Sequence, residues 1–209
     1  MPRDEARLFL ITPPIASAAA FAPLLETALS TCDIACILLR TGPCDEDEQK
    51  RIVKSLATIA RKFDVACLVS DDPSLVLRAD VDGIHITADP KQLNEAIRSL
   101  HPGRIVGAGG LTTRDAAMMA GEAGADYLMF GTPDGGEPHA VIVERVAWWA
   151  EIFNVPCVGY ADDLVGMADL VRAGADFIAL GDAVFADPRG VAAALRDAAF
   201  TLANTSEPA

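Results

Sequence analysis

Residues 123–131 read Ala-Gly-Ala-Asp-Tyr-Leu-Met-Phe-Gly, and residues 173–181 read Ala-Gly-Ala-Asp-Phe-Ile-Ala-Leu-Gly. A weaker copy, Ala-Asp-Val-Asp-Gly-Ile-His-Ile, occupies 79–86. A glycine ends the helix in the left-handed conformation, an aspartate breaks the chain, and a short apolar run follows. Three copies of one helix-to-strand joint predict a repeated βα unit. Working outward, β-rich apolar runs of strand length recur at 8–11, 34–39, 65–69, 83–86, 104–108, 127–130, 155–160 and 177–180. Most show little polar alternation, as expected of buried parallel strands. Helical stretches fall between them at 18–30, 46–62, 73–79, 90–100, 112–122, 137–153, 164–173 and 188–202, with Asp45 and Thr112 as N-caps. Eight such units predict a single (β/α)8 TIM barrel over residues 1–203, with 204–209 as a frayed tail. An open doubly wound sheet is the alternative, but the first strand ends in Thr12-Pro13-Pro14 and not in a glycine-rich turn.

The chain has 209 residues, of which 51% are apolar and 22% charged, so disorder is excluded as the main state. Seventeen basic against 30 acidic residues give a formal charge of −13. No basic footprint exists for nucleic acid or an anionic membrane. No apolar run reaches the length of a spanning helix, and Met1-Pro-Arg-Asp-Glu5 lacks the order of a signal peptide. The expectation is a cytoplasmic protein. Five cysteines and three scattered histidines carry no zinc spacing; Cys36, Cys67 and Cys157 sit in apolar runs.

A barrel of this kind places its chemistry on the loops after the strands. Those loops would hold nine acids, Asp45, Asp71, Asp72, Asp89, Asp134, Glu137, Asp162, Asp163 and Asp182, against one permanent cation, Arg40. A strongly negative mouth follows, suited to metal ions or cationic ligands, although each acid also precedes a helix and is a candidate N-cap. His139 is within reach of the mouth from the long loop after strand six, whereas His101 lies on the opposite side. Trp148-Trp149 face different directions on one helix; an exposed member would point to a homo-oligomer. Gly107-Ala-Gly-Gly110 looks like a phosphate loop but has no basic residue after it.

Laid out this way, the chain resembles thiamine phosphate synthase and its TenI-type relatives over nearly its whole length. The resemblance is carried by Ile37-Leu-Leu-Arg40, Val69-Ser-Asp71, Val81-Asp-Gly-Ile-His85, Ile105-Val-Gly107, Gly124-Ala-Asp-Tyr-Leu-Met-Phe-Gly131, Val155-Pro156 and Ala173-Gly-Ala-Asp176. It implies a (β/α)8 barrel and a transferase of thiamine biosynthesis. The family joins hydroxymethylpyrimidine diphosphate to a thiazole phosphate, with Mg²⁺, and releases pyrophosphate. The pyrimidine leaves as a cation, so catalysis is positioning and charge stabilisation. The resemblance also implies roles. Arg40 and His85 become catalytic candidates, Asp71 and Asp89 the Mg²⁺ ligands, and Ser70, Gly109, Gly131, Asp162 and Gly181 substrate-binding positions.

The departures gather on phosphate-handling positions. The family glutamine and lysine around the arginine fall at Leu38 and Gly42, and the second metal aspartate at Pro90, one residue from Asp89. The serine and the tautomerase histidine after strand five fall at Gly109 and Leu111. The Thr-x-Thr-Lys segment has become Asp134-Gly-Gly-Glu-Pro138, the paired glycines after strand seven Ala161-Asp162, and the last phosphate-binding serine falls near Gly181-Asp182. Three readings stay open: a synthase with remodelled loops, a barrel enzyme acting on a less phosphorylated or cationic ligand at the C-terminal face, and a non-catalytic binding or partner barrel.

Overall fold

The computed structural model describes residues 5–205. In chain order the elements are β1 (Arg7–Ile11), α1 (Ala18–Thr31), β2 (Ile34–Leu39), α2 (Glu46–Lys62), β3 (Ala66–Ser70), α3 (Pro73–Ala79), β4 (Gly83–Thr87), α4 (Pro90–Leu100), β5 (Ile105–Gly109), α5 (Arg114–Glu122), β6 (Tyr127–Phe130), α6 (His139–Ile152), β7 (Cys157–Ala161), α7 (Met167–Arg172), β8 (Phe177–Leu180), α8 (Asp182–Phe185) and α9 (Val191–Thr205). Every strand pairs in parallel with its sequence neighbour, and β8 returns to β1, which closes the barrel and removes the open-sheet alternative.

The predicted boundaries hold to within three residues. Helix α2 shows why: Asp45 caps it by accepting from the Glu48 N–H, acids fill its first turn and Arg61-Lys62 its last, and Ile52, Val53, Leu56 and Ala60 form one buried stripe. Two details differ. The cap of α5 is Thr113, not Thr112, because its hydroxyl is the one spaced to accept from the Ala116 N–H. Helix α8 went unread, since four residues carry no periodicity. Helix α9 continues to Thr205, past the expected boundary at 203; the expected tail at 206–209 and the first four residues lie outside the described residues.

The repeated joint is explained by its hydrogen bonds. Asp82 donates its N–H to the Cys67 carbonyl (2.9 Å) while its carboxylate accepts from the Cys67 N–H (2.8 Å). Asp126 clasps Val106 in the same reciprocal way (2.8 and 2.7 Å), and Asp176 clasps Cys157 (3.0 and 2.8 Å). Each aspartate thus ties the start of an even strand to the odd strand before it. Asp33, ahead of β2, is a fourth and looser copy: it pairs with Arg7 of β1 at 3.0 Å. Gly124 and Gly174 take the left-handed turn before the clasp, and Asp80 takes it in the third copy.

Outward strand side chains and inner helix faces form one core, which includes Cys67, Cys157 and Trp149. Inward side chains form a second, smaller core of Phe9, Ile11, Cys36, Leu38, Leu68, Tyr127, Met129, Val158, Tyr160 and Ala179. Trp148 is half-buried, with the Arg114 guanidinium 4.9 Å above its ring and Phe153 against it, so the expected exposed tryptophan is absent. No helix among the described residues is long and apolar enough to cross a membrane.

Candidate active site

The C-terminal ends of the strands surround a cavity of about 280 Å³ whose lining includes Arg40, Ser70, Asp71, His85, Thr87, Gly131 and Asp134. Five of the nine predicted site residues therefore meet at one opening. Arg40 is set by the loop after β1: its N–H donates to the Thr12 hydroxyl (2.9 Å) and its carbonyl accepts from the Ile15 N–H (2.8 Å). Its guanidinium is bound to Asp134 at 2.7 Å. Asp71 sits in the left-handed region (φ 54°), a conformation that aspartate tolerates. Its N–H donates to the His85 carbonyl (3.0 Å) and its carboxylate accepts from the Thr87 N–H (2.7 Å), so it latches β3 to β4. Withdrawal from water raises its pKa, against the pull of the Thr87 N–H, and the charge of Asp89 raises it further. Ser70 ends β3 beside it.

Asp89 is placed differently. Its carboxylate caps α4, accepting from the Lys91 and Gln92 N–H groups at 2.9 and 3.1 Å. It lines the crevice between α4 and α5 and not the mouth cavity, though it is near enough to act on Asp71. Among the described residues no group of three or more His, Cys, Asp or Glu is gathered for a metal ion. Asp89 keeps one carboxylate oxygen outside its capping bonds, and the Thr87 N–H reaches only one oxygen of Asp71. That suits a Mg²⁺ that holds waters and takes its remaining ligands from a substrate's phosphates, and does not suit an all-protein cage.

His85 lies on the floor of the cavity. It is buried, and its Nδ1 is 2.8 Å from the Tyr127 hydroxyl. The two rings stack at 5.7 Å, and burial pushes the imidazole pKa down to about 4. Glycines make this possible. A Cβ on Gly107 would stand 2.0 Å from the Tyr127 ring, and one on Gly109 would stand 2.3 Å from His85 Nε2. Gly109 is therefore the bed of the histidine, and its inward space is not open to substrate. The phosphate-loop look of 107–110 has the same origin. Gly131 lines the cavity with φ 85°, and a Cβ there would press on Ile142 and on the Tyr160 Cβ. Gly181 lets the Tyr160 hydroxyl approach: its Cβ would stand 3.2 Å from that oxygen.

The charge count at the mouth needs one correction, in its cations, since Arg78 and Arg145 join Arg40 there. Asp45, Asp72 and Asp89 are N-caps, and Asp163 accepts from the Gly166 N–H. Asp72 also meets Arg78 (3.1 Å), Asp134 meets Arg40, and Glu137 meets Arg145 through two bonds of 2.9 and 2.7 Å. Arg78 and Arg145 went uncounted because they reach the rim from helices. Arg145 is 8% exposed, and it also donates to the Thr112 carbonyl, which ties the loops after β5 and β6 together. Its guanidinium holds the Glu137 carboxyl below the usual range. Cations therefore meet three of the nine acids, Asp72, Asp134 and Glu137, while Asp45, Asp89 and Asp163 keep their charge as they cap, and Asp71, Asp162 and Asp182 have no cation beside them among the described residues. His139 does not reach the mouth; its ring lies against Gly166 and, at 3.6 Å, Asp169 of α7. His101 pairs with Asp126 at 2.8 Å on the far side.

Tyr127, Arg145 and Tyr160 were missed in the sequence. A signal existed for the tyrosines: each stands two residues from another inward strand position, which puts it inside the barrel.

The profile of the family described as thiamine monophosphate synthase, which includes TenI, matches residues 8–184. A thiamine-phosphate synthase of Rhodospirillum centenum is 40% identical over 198 residues, covering 92% of this chain and 96% of that protein. One of Hyphomonas neptunium is 35% identical over 207 residues, covering 93% of each. Among solved structures, the thiamine phosphate pyrophosphorylase from Pyrococcus furiosus superposes with a TM-score of 0.81 at 22% identity, over 95% of this chain and 96% of that one. A 3-hexulose-6-phosphate synthase superposes at 0.73 with 14% identity, over 93% of this chain and 99% of the other, a likeness of fold alone.

Proposed function

Since the chain belongs to the thiamine monophosphate synthase and TenI family, we propose that its mouth couples hydroxymethylpyrimidine diphosphate to a thiazole and releases pyrophosphate. The observation that carries this reading is the placement of Arg40 and Asp71 around one cavity, with Ser70 and Thr87 between them. Arg40 is the cation for the diphosphate, released from Asp134 when the ligand arrives. Asp71, with Asp89 behind it, would hold a Mg²⁺ through one oxygen each, and the metal would neutralise the leaving pyrophosphate. A bound Mg²⁺ also offsets the Asp71–Asp89 repulsion, which is why the raised pKa of Asp71 is compatible with a ligand role.

His85 serves as a fixed, uncharged donor. Its low pKa keeps it neutral at physiological pH, which argues against an acid–base role there. In the tautomer where Tyr127 donates to Nδ1, the ring proton resides on Nε2, the nitrogen over Gly109. The small-molecule ligand at the C-terminal face is the only partner this reading needs. A net charge of −13 argues against nucleic acid and membrane surfaces, and a cytoplasmic location suits the family's chemistry. A non-catalytic binding barrel is the second reading, favoured by the Arg40–Asp134 bond, which engages the cation a diphosphate would need.

The test is pyrophosphate release from the two substrates with and without Mg²⁺. Mg²⁺-dependent release is expected, falling at least 100-fold in Arg40→Ala and Asp71→Ala with the fold intact by circular dichroism. Absence of pyrophosphate with every thiazole offered would overturn the proposal and leave the binding barrel.

A further inference from the structure

Asp71 is tied to the next strand and helix at three points. Its N–H donates to the His85 carbonyl (3.0 Å), its carboxylate accepts from the Thr87 N–H (2.7 Å), and its carbonyl accepts from the Gln92 side-chain amide (2.5 Å). The first two partners are backbone groups of β4, which no substitution there removes. The third is a single side chain, half-buried on the first turn of α4. Gln92 makes a second bond of the same kind. Its own N–H donates to the Asp89 carboxylate that caps α4, at 3.1 Å. One residue thus joins the two acids assigned to Mg²⁺, reaching Asp71 through its side chain and Asp89 through its backbone. The backbone shows why a tie is needed. Asp71 is left-handed at φ 54°, and Ala88, just before Asp89, at φ 52°. A residue with a Cβ keeps that conformation only where its surroundings hold it. Ala88 is held by its N–H bond to the Gly109 carbonyl (3.0 Å), and Asp71 by its three bonds. The two carboxylates also carry like charge and act on one another, which favours their separation.

Resting on the coupling reading above, we propose that Gln92 is the positioning residue of the Mg²⁺ acids: it fixes Asp71 over the start of α4 so that the carboxylates of Asp71 and Asp89 serve one ion. Gln92 acts through the Asp71 carbonyl and is not itself a ligand. Without its amide, the Asp71 peptide is free to turn toward an ordinary backbone conformation and to carry its carboxylate away from Asp89. Mg²⁺ demands near-ideal octahedral geometry and tolerates such a shift poorly. The consequence is weakened metal binding in a barrel that stays folded, and groups that orient metal ligands in this way are typically worth about 10–100-fold in metal affinity.

The test is calorimetric binding of pyrophosphate to the full chain with and without Mg²⁺, beside the Mg²⁺ dependence of pyrophosphate release. Gln92→Met keeps the length and helix-forming tendency of the side chain and removes the amide. It is expected to cut the Mg²⁺-dependent gain in pyrophosphate affinity by about 10-fold or more and to leave the metal-free affinity unchanged. The Mg²⁺ concentration for half-maximal release should rise by the same factor, with kcat at saturating Mg²⁺ within about 3-fold of the parent. Asn94→Met removes an amide of the same helix that bonds the Pro90 carbonyl, and should change none of these. If Gln92→Met fails to fold, the comparison is made with Gln92→Asn, whose amide stops one methylene short. A Mg²⁺-dependent gain that the Gln92 variant reduces, with no product formed, supports the positioning role and overturns the coupling reading. An equal gain in parent and variant, a gain that survives Asp71→Ala, or no Mg²⁺-dependent gain in the parent overturns the positioning role.

Discussion

Replacing Gly109 by alanine adds one methyl group where the structure has no room for it. The new Cβ would stand 2.3 Å from His85 Nε2 and 2.7 Å from Cε1, where carbon contacts normally lie near ~3.5–4.0 Å. The imidazole cannot swing away. Its Nδ1 is held by the Tyr127 hydroxyl, and Tyr127 is itself pressed between the Gly107 backbone and the Phe9 ring, 5.7 Å away. Overpacking of a filled interior costs about 1–3 kcal/mol, and disturbing the His85–Tyr127 bond adds about 1 kcal/mol. For a domain of this size each kcal/mol moves Tm by roughly 2–4 °C, so a fall of roughly 4–16 °C is expected by calorimetry. The cause is isolated by a double-mutant cycle. In a His85→Ala background the methyl group meets no ring, and Gly109→Ala should cost less there by about 1–3 kcal/mol. A Tm within 1 °C of the parent, or an equal penalty in both backgrounds, would refute the account of Gly109 as the bed of the histidine.

Further outcomes follow from the same contacts. Burial lowers His85 to about 4 from its ordinary 6.5, so the fold favours the neutral ring; its contribution is complete above pH 6.5 and is lost as pH falls from 6.5 toward 4. At 1.36 kcal/mol per pH unit that is roughly 3 kcal/mol, seen in guanidinium unfolding at pH 7 and 4.5 as a pH dependence that His85→Gln reduces. Glu137→Gln leaves the Arg145 guanidinium buried without its carboxylate; about 2–4 kcal/mol of stability should be lost, with faster proteolysis in the loop at 132–138. Asp82→Ala strands the Cys67 N–H and should cost about 1–3 kcal/mol, whereas Asp33→Ala, an exposed partner of Arg7, should cost no more than about 1 kcal/mol in the same unfolding assay.

The elements were legible because each is specified by neighbours in sequence. The caps at Asp45, Asp72 and Asp89, the stripe on α2 and the aspartate clasps all act within about one βα unit, and such signals survive as local patterns. The site was legible only where it repeats a motif of the family, as Arg40 and Asp71 do. What the sequence hid is what the barrel closure creates. Gly107 and Gly109 are small because of rings arriving from β6 and β4, and nothing local to them announces a histidine overhead. Arg145 is six residues beyond its loop and neutralises Glu137 only because α6 turns its side chain back toward the rim. The rim charge was overcounted for the same reason: a carboxylate's partner is local when it is a helix N–H and distant when it is an arginine.

The two edges of the mouth therefore stand in different relations to the family. At β2–β4 the carboxylate of Asp71 accepts from the Thr87 N–H, and the backbones of Asp71 and Arg40 are set by bonds to the His85 carbonyl and the Thr12 hydroxyl, so the scaffold itself holds both residues in place. At β7–β8 the scaffold is equally intact, with Ala161 and Leu180 in register, yet the residues that follow are two acids, Asp162 and Asp182. Tyr160 packs its ring into the inward core while its hydroxyl is not among the buried unpartnered polar atoms, so a tyrosine there costs nothing that a phenylalanine would save, and the difference between the two edges lies in the charges they present.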